Sequence, residues 1–185
     1  MRTFIALDLS PEIKARLAGF IGRLAPLGRG VKWVSQESMH LTLKFLGEID
    51  ETRAAQVKDI LRSVAGQSEA LPLRFQGTGA FPPGSSCPRV LWVGIEAPPG
   101  LALLQEKVED GCQAIGFARE TRPFHAHLTL GRVNFSGSLA ALLNEFNRNP
   151  SESFGEMTAQ RLTFFLSRLK PAGAEYSVLE EFDLR

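Results

Sequence analysis

Two of the three histidines in this 185-residue chain head the same tetrapeptide. His-Leu-Thr-Leu stands at 40–43 in "SMHLTLKFLG" and again at 127–130 in "RPFHAHLTLGR", with His127 following His40 by 87 positions (127 − 40). In an extended strand, residues i and i+2 share a face. His40 and Thr42 therefore project together over Leu41 and Leu43, and His127 and Thr129 project over Leu128 and Leu130. Two such strands facing each other across a cleft would gather two imidazoles and two hydroxyls. That is the equipment for hydrolysis or transesterification at a phosphodiester: one histidine takes a proton from the nucleophile and the other gives one to the leaving oxygen. Histidine suits both tasks because its unperturbed pKa of ~6.5 leaves one ring neutral and the other charged near neutral pH. The hydroxyls, and an imidazolium, can hold the non-bridging oxygens as charge develops on them.

Two other readings compete. A lone strand histidine is commonly a structural residue, but two of three in repeated contexts weigh against that. A three-histidine zinc site would use His40, His125 and His127, since His125 and His127 share a strand face. Against it, "RPFHAHLTLGR" holds no acidic residue, threonine is not a usual ligand, and the first half has Met39-His40 where a symmetric site would repeat HxH.

The elements that must position these residues also recur. "FIALDL" (4–9) is an apolar run closed by Ser10-Pro11, then a helix-spaced set of Ile13, Leu17, Phe20, Ile21 and Leu24. "RVLWVGIE" (89–96) is a second apolar run closed by Ala97-Pro98-Pro99, then Leu101, Leu104, Val108 and Ile115 at helical spacing. Each HLTL is followed by a polar break and a second helix, about 51–65 and about 137–147. Apolar strands follow at 71–81 ("LPLRFQGTGAF") and 156–167 ("EMTAQRLTFFLS"), and a last strand lies in "EYSVLEEFDLR" (175–185). The order strand, helix, HLTL strand, helix, strand thus occurs twice. The reading is one domain over 1–185 made of two homologous halves, roughly 1–88 and 89–185, that exchange or share edge strands. "PPGSSCPR" (82–89) reads as a loop between strands rather than an interdomain linker.

Composition sets the frame. With 44% hydrophobic and 22% charged residues, the chain reads as an ordinary globular protein. A formal net charge of +1 provides no global attraction to nucleic acid or membrane, so a polyanion site must be a local basic cluster. Cys87 and Cys112 form no CxxC, which signals neither a zinc knuckle nor a disulfide framework. The N-terminus has no signal-peptide run and no 18-residue apolar stretch occurs. These features predict a soluble cytoplasmic protein.

The residues around both tetrapeptides resemble a known family. "HLTLKFLGE" and "RPFHAHLTLGR" are similar to the two HxTx motifs of the 2H phosphoesterase superfamily. More narrowly, the chain resembles RNA 2′,3′-cyclic phosphodiesterases, also called 2′–5′ RNA ligases. The likeness extends through "RTFIALDLSPEIKARL", "VKWVSQESMHLTLKFLGEID", "RVLWVGIE" and "SRLKPAGAEYSVLEEFDL". It implies an α+β fold, bilobal, a duplication of a βαβαβ-type half around a central cleft, with mainly antiparallel sheets. By the same resemblance, His40 is the proton donor to the departing 3′ oxygen and His127 the proton acceptor from water. The two roles can be exchanged on paper because of the pseudosymmetry. Thr42, Thr129, Arg132 and His125 would contact the substrate, an RNA or oligonucleotide ending in a 2′,3′-cyclic phosphate, which is opened to a 2′-phosphate. No metal and no cofactor are implied, and the chain is expected to be a monomer. Run backwards with an RNA 5′-hydroxyl, the same site would make 2′–5′ linkages without ATP; no GxxxxGK[ST] loop is present.

Weaker candidates surround these. Lys44 lies two residues after Thr42 and would share the cleft face if the strand continues. Arg122 is a further cation; Phe4 and Trp92 could stack on a base or pack in the core, the core being favoured, and Trp33 is open. Gly131 departs from the family, which often has a side chain there. The alternatives are a 2H phosphodiesterase acting on a small cyclic or 2′–5′ nucleotide, and a non-catalytic RNA-binding module. The latter needs aromatic and basic side chains on an open sheet face, where this chain repeats His and Thr.

Overall fold

The computed structural model describes residues 1–134, 139–170 and 173–185. It holds nine strands and four α-helices: β1 (Arg2–Asp8), α1 (Pro11–Leu24), β2 (Val31–Trp33), β3 (His40–Glu48), α2 (Glu51–Ala65), β4 (Leu71–Phe81), β5 (Val90–Glu96), α3 (Pro99–Ala114), β6 (His127–Val133), α4 (Ala140–Phe146), β7 (Ser153–Ala159), β8 (Arg161–Lys170) and β9 (Gly173–Asp183). The strands form two sheets, ordered β3-β1-β8-β9 and β2-β6-β5-β4-β7, and every strand pair is antiparallel. The fold is α+β.

Local chemistry explains the helix starts. Pro11 sits in the first turn of α1, where its missing N–H costs nothing, and the Ser10 hydroxyl accepts from the Ile13 N–H at 3.4 Å. The Asp50 carboxylate accepts from the Arg53 N–H at 2.8 Å at the start of α2. The helices turn their apolar stripes inward: Ile13, Leu17, Phe20, Ile21 and Leu24 on α1, and Leu101, Leu104, Val108 and Cys112 on α3. These meet Leu41 and Leu43 of β3 and Leu128 and Leu130 of β6 in one continuous core. The leucines of both tetrapeptides thus anchor the strands while the histidines and threonines are left on the other face.

One expectation is revised. The apolar stretch 156–167 is not one strand: it breaks at Gln160 into β7 and β8, which lie in different sheets. The helix expected at about 137–147 is α4, Ala140–Phe146, and residues 137 and 138 lie outside the described residues. A short edge strand, β2, adds to the elements expected from the sequence.

The sheets interleave the chain. β1 and β3 share a sheet with β8 and β9 from the C-terminal end, and β5 and β6 share one with β4 and β2 from the N-terminal part.

Candidate active site

Both HLTL strands carry a β-bulge at the same place. In β3, Thr42 pairs with Ala6 and Lys44 with Ile5, so Leu43 is the extra residue. In β6, Thr129 pairs with Trp92 and Gly131 with Leu91, so Leu130 is the extra one. A bulge reverses the alternation beyond it. Lys44 therefore does not share the face of Thr42. It turns inward, 6% exposed, and its Nζ donates to Glu109 Oε2 at 2.6 Å and to the Ala118 carbonyl at 2.9 Å. The residue that reaches the cleft instead is Phe45, 69% exposed, and in the other strand it is Arg132. Gly131, the register equivalent of Lys44, has no room for a side chain: a Cβ would lie 2.7 Å from Val31 and 2.9 Å from Trp33 of β2. Trp33 accordingly packs against the core.

The strands bring His40, Thr42, His127 and Thr129 to one cavity of about 460 Å³. His125, Arg122 and Arg132 line it too, as do Phe45 and Tyr176. The three histidines therefore share the cavity, but among the described residues no group of three His, Cys, Asp or Glu is placed to hold a metal.

The two imidazoles are held alike and surrounded differently. His127 Nδ1 lies 2.8 Å from the His125 carbonyl. A carbonyl only accepts, so Nδ1 carries the proton and Nε2 is left for chemistry. His40 makes the corresponding bond with the Ser38 backbone. Around His40, Phe4 lies 4.5 Å away between ring centroids, Tyr176 5.0 Å edge-on and Phe165 5.7 Å. Burial in this apolar nest pulls the His40 pKa down to about 4, while the Asp8 carboxylate and the Ser38 bond oppose the drop. Asp8 is the cross-strand partner of His40 and is itself paired with Lys14 at 2.7 Å. At the corresponding place opposite His127 stands Gly94, and the ring contacts there are Phe81 at 5.7 Å and Trp92 at 6.4 Å. Phe4 is buried beneath His40, so it packs rather than stacks on a ligand.

Sequence reasoning missed Phe45, Tyr176, Asp8 and Phe81. Two adjacent apolar residues, Phe45-Leu46, at the end of an alternating run signalled the slip for Phe45. Nothing local signals Tyr176, which arrives from β9.

Comparison with known proteins bears directly on this arrangement. The family described as "LigT like Phosphoesterase" matches the chain twice, over residues 7–92 and 93–176. The chain belongs to the LigT-like phosphoesterase family. This LigT-like chain is 36% identical over 185 residues to a protein of Archaeoglobus fulgidus named RNA 2′,3′-cyclic phosphodiesterase, covering 99% of this chain and 100% of that one. A Thermotoga maritima protein of the same name is 36% identical over 183 residues, covering 98% and 94%. Among solved structures, TT0787 of Thermus thermophilus superposes with a TM-score of 0.83 at 32% identity, covering 100% of this chain and 98% of that one. The fold around the two HxTx strands is therefore that of LigT-like 2H phosphoesterases.

Proposed function

We propose that the protein hydrolyses the terminal 2′,3′-cyclic phosphate of RNA to a 2′-phosphate by acid–base catalysis from its two histidines. The observation that carries the reading is the meeting of two His–Thr pairs, from strands of different sheets, with Arg132 in one cavity. The relatives named RNA 2′,3′-cyclic phosphodiesterase support the choice of substrate.

In this reading His127 Nε2 takes a proton from water, whose oxygen attacks phosphorus. The bond from phosphorus to the 3′ oxygen breaks, and His40 delivers its proton to that oxygen. Thr42 and Thr129 donate to the non-bridging oxygens, and the Arg132 guanidinium offers them paired N–H groups. This polarity requires His40 to take up a proton against the burial that lowers its pKa. The Nδ1–H bond to the His125 carbonyl leaves the neutral His127 ring with its lone pair at Nε2. The Asp8 carboxylate favours the charged form of His40, with only Gly94 at the matching position beside His127. An anionic phosphate seated between the rings adds to that effect, so His40 gains its proton as substrate binds. No step calls on a metal or cofactor.

The same reading takes the chain as a single 2H phosphoesterase domain whose halves, roughly 1–88 and 89–185, arose by duplication and exchange strands. The double family match and the paired bulges support it. Every group invoked comes from one chain, so the monomer suffices.

The test is incubation with an RNA ending in a 2′,3′-cyclic phosphate, in EDTA, with the product terminus resolved. A 2′-phosphate is expected. A substrate with sulfur bridging at the 3′ position assigns the roles, because thiolate leaves without a proton donor. It should restore most of the rate to His40→Ala and none to His127→Ala; rescue of His127→Ala instead would reverse the assignment.

A further inference from the structure

The cavity holds a carboxylate that the hydrolytic step does not need. Glu120 lines it, together with Gln105 and Phe45. Glu120 Oε1 accepts from the backbone N–H groups of Thr121 at 3.0 Å and Arg122 at 3.3 Å. Its Oε2 bonds no described residue, and no described cation lies within ion-pair distance of it. An unneutralised negative charge in a cavity that must admit a phosphate works against binding. Its place there calls for a part of the ligand that brings N–H groups. Its neighbours are fixed from two elements. One oxygen, Glu109 Oε2, accepts from Lys44 Nζ at 2.6 Å and from the Glu120 N–H at 3.3 Å. Lys44 precedes Phe45 in β3, so this bridge sets Glu120 beside the strand that carries the exposed ring. Gln105 comes from α3, one turn before Glu109, and its amide nitrogen donates to Glu109 Oε1 at 3.3 Å. That bond commits the nitrogen end to Glu109 and frees the carbonyl oxygen as an acceptor.

With the 3′ oxygen leaving toward His40, the terminal ribose lies on the His40 side, where Phe45 offers an exposed face to its base. A base stacked there meets acceptors from two elements at its edge, the Glu120 carboxylate and the Gln105 carbonyl. Among the RNA bases, guanine alone sets two donors side by side, N1–H and the N2 amino group. Adenine and cytosine place a ring acceptor next to their amino group, and uracil flanks its one N–H with carbonyl oxygens, which a carboxylate repels. We infer that Phe45, Gln105 and Glu120 form a pocket that selects guanine as the last base of the substrate. Phe45 stacks on the purine, the Glu120 carboxylate accepts from N1–H and N2–H, and Gln105 Oε1 accepts from the second N–H of the amino group. The carboxylate is then neutralised by donors only when the right base arrives. A wrong base leaves it unpaired beside the phosphate. The inference rests on the cyclic-phosphate reading above and deepens it, from any RNA 3′ end to one that closes in guanosine.

The experiment measures kcat/KM on RNAs of one sequence that differ only in the final nucleotide, each ending in a 2′,3′-cyclic phosphate. The final nucleoside is guanosine, adenosine, cytidine, uridine or inosine. Wild type should open the guanosine end roughly ten- to a hundredfold faster than the adenosine end. Inosine, which keeps N1–H and lacks the amino group, should fall between them. Glu120→Gln keeps an oxygen for the Thr121 and Arg122 N–H groups but puts a donor where guanine also donates. It should cut the guanosine-to-adenosine ratio about tenfold, and a ratio taken on one protein cancels losses from misfolding. Phe45→Ala should lower kcat/KM on every end by a similar factor, because stacking tolerates any base. A wild type indifferent to the final base, or a ratio that Glu120→Gln leaves unmoved, overturns the inference, although the hydrolytic reading survives either result. So does a Phe45→Ala protein that opens all ends as fast as wild type. A wild type that opens no cyclic phosphate removes the hydrolytic reading and this inference with it.

Discussion

Burial among Phe4, Phe165 and Tyr176 keeps the His40 ring neutral well below the pH at which a free imidazole would charge. This has a consequence for stability. The unfolded chain takes up the His40 proton near 6.5, whereas the folded protein resists it down to about 4. The unfolded state therefore binds more protons across that window, and stability falls as pH drops through it, by at most ~1.4 kcal/mol per unit. Urea denaturation at pH 7 and pH 5 should show wild type losing about 2 kcal/mol relative to His40→Gln, which lacks the titration. Equal pH dependence in the two proteins would mean His40 is not buried as described. For turnover, His40→Ala and His127→Ala should each lose roughly 10²–10⁴-fold with an oxygen leaving group, measured on purified variants of equal stability. At this scale the four HxTx side chains were legible in the sequence because the strand period is two, and the structure brings them together. Lys44 leaves the cleft face, and Phe45 joins it, for the same reason: the bulge at Leu43 breaks that period. Strict alternation would also have sent Arg132 into the core layer with Leu128 and Leu130, and an arginine so placed is itself a sign that the register slips.

The bulges free one position in each strand for a different use, and the elements around them follow. On the first strand, Lys44 enters a pocket beside α3 and bonds Glu109, both side chains 4% exposed. Glu109 also accepts from the Glu120 N–H at 3.3 Å, and Lys44 holds the Ala118 carbonyl. The pair thus ties the segment before β6, which supplies Arg122 and His125 to the cavity, onto the body of the fold. Removing one partner strands a charge. Lys44→Met should cost about 3–5 kcal/mol in urea denaturation, and the double change Lys44→Met with Glu109→Met should recover much of this. A double variant no better than the single one would show that the bonds to the backbone matter more than the charge. On the second strand, Gly131→Ala forces a methyl against Val31 and Trp33. We expect a loss of about 1–3 kcal/mol and a weakened grip on phosphate as β2 and Arg132 shift, read as a higher KM. The helices were legible from their apolar spacing, and α1 also from its Ser10-Pro11 start. The split of 156–167 into β7 and β8 was not, since both pieces are apolar and the break at Gln160 is visible only once each finds a different sheet.

The whole molecule is knitted by its sheet order. Because β8 closes the sheet begun by β1, and β4 lies in the sheet of β5 and β6, neither half holds a finished sheet. Separate fragments 1–88 and 89–185 should each lack cooperative unfolding by circular dichroism and regain it, with phosphodiesterase activity, when mixed. Cooperative folding of either fragment alone would contradict this dependence. No described helix is long and apolar enough to cross a membrane. The repeated order of elements can be read along the sequence, but which strands cross over cannot, because edge pairing is a tertiary choice among strands of similar composition.

That crossing has a meaning in time. Thr3 to Ala6 of β1 pair with Thr163 to Leu166 of β8, so a segment that leaves the ribosome early waits for one made much later. Until β8 is made, the nascent β1 offers an open edge beside the apolar residues Phe4, Ile5 and Ala6. Such an edge invites pairing with neighbouring chains. Formation of the cleft therefore waits for β8, and the yield of active enzyme should depend on how well the emerging chain is shielded until that strand arrives.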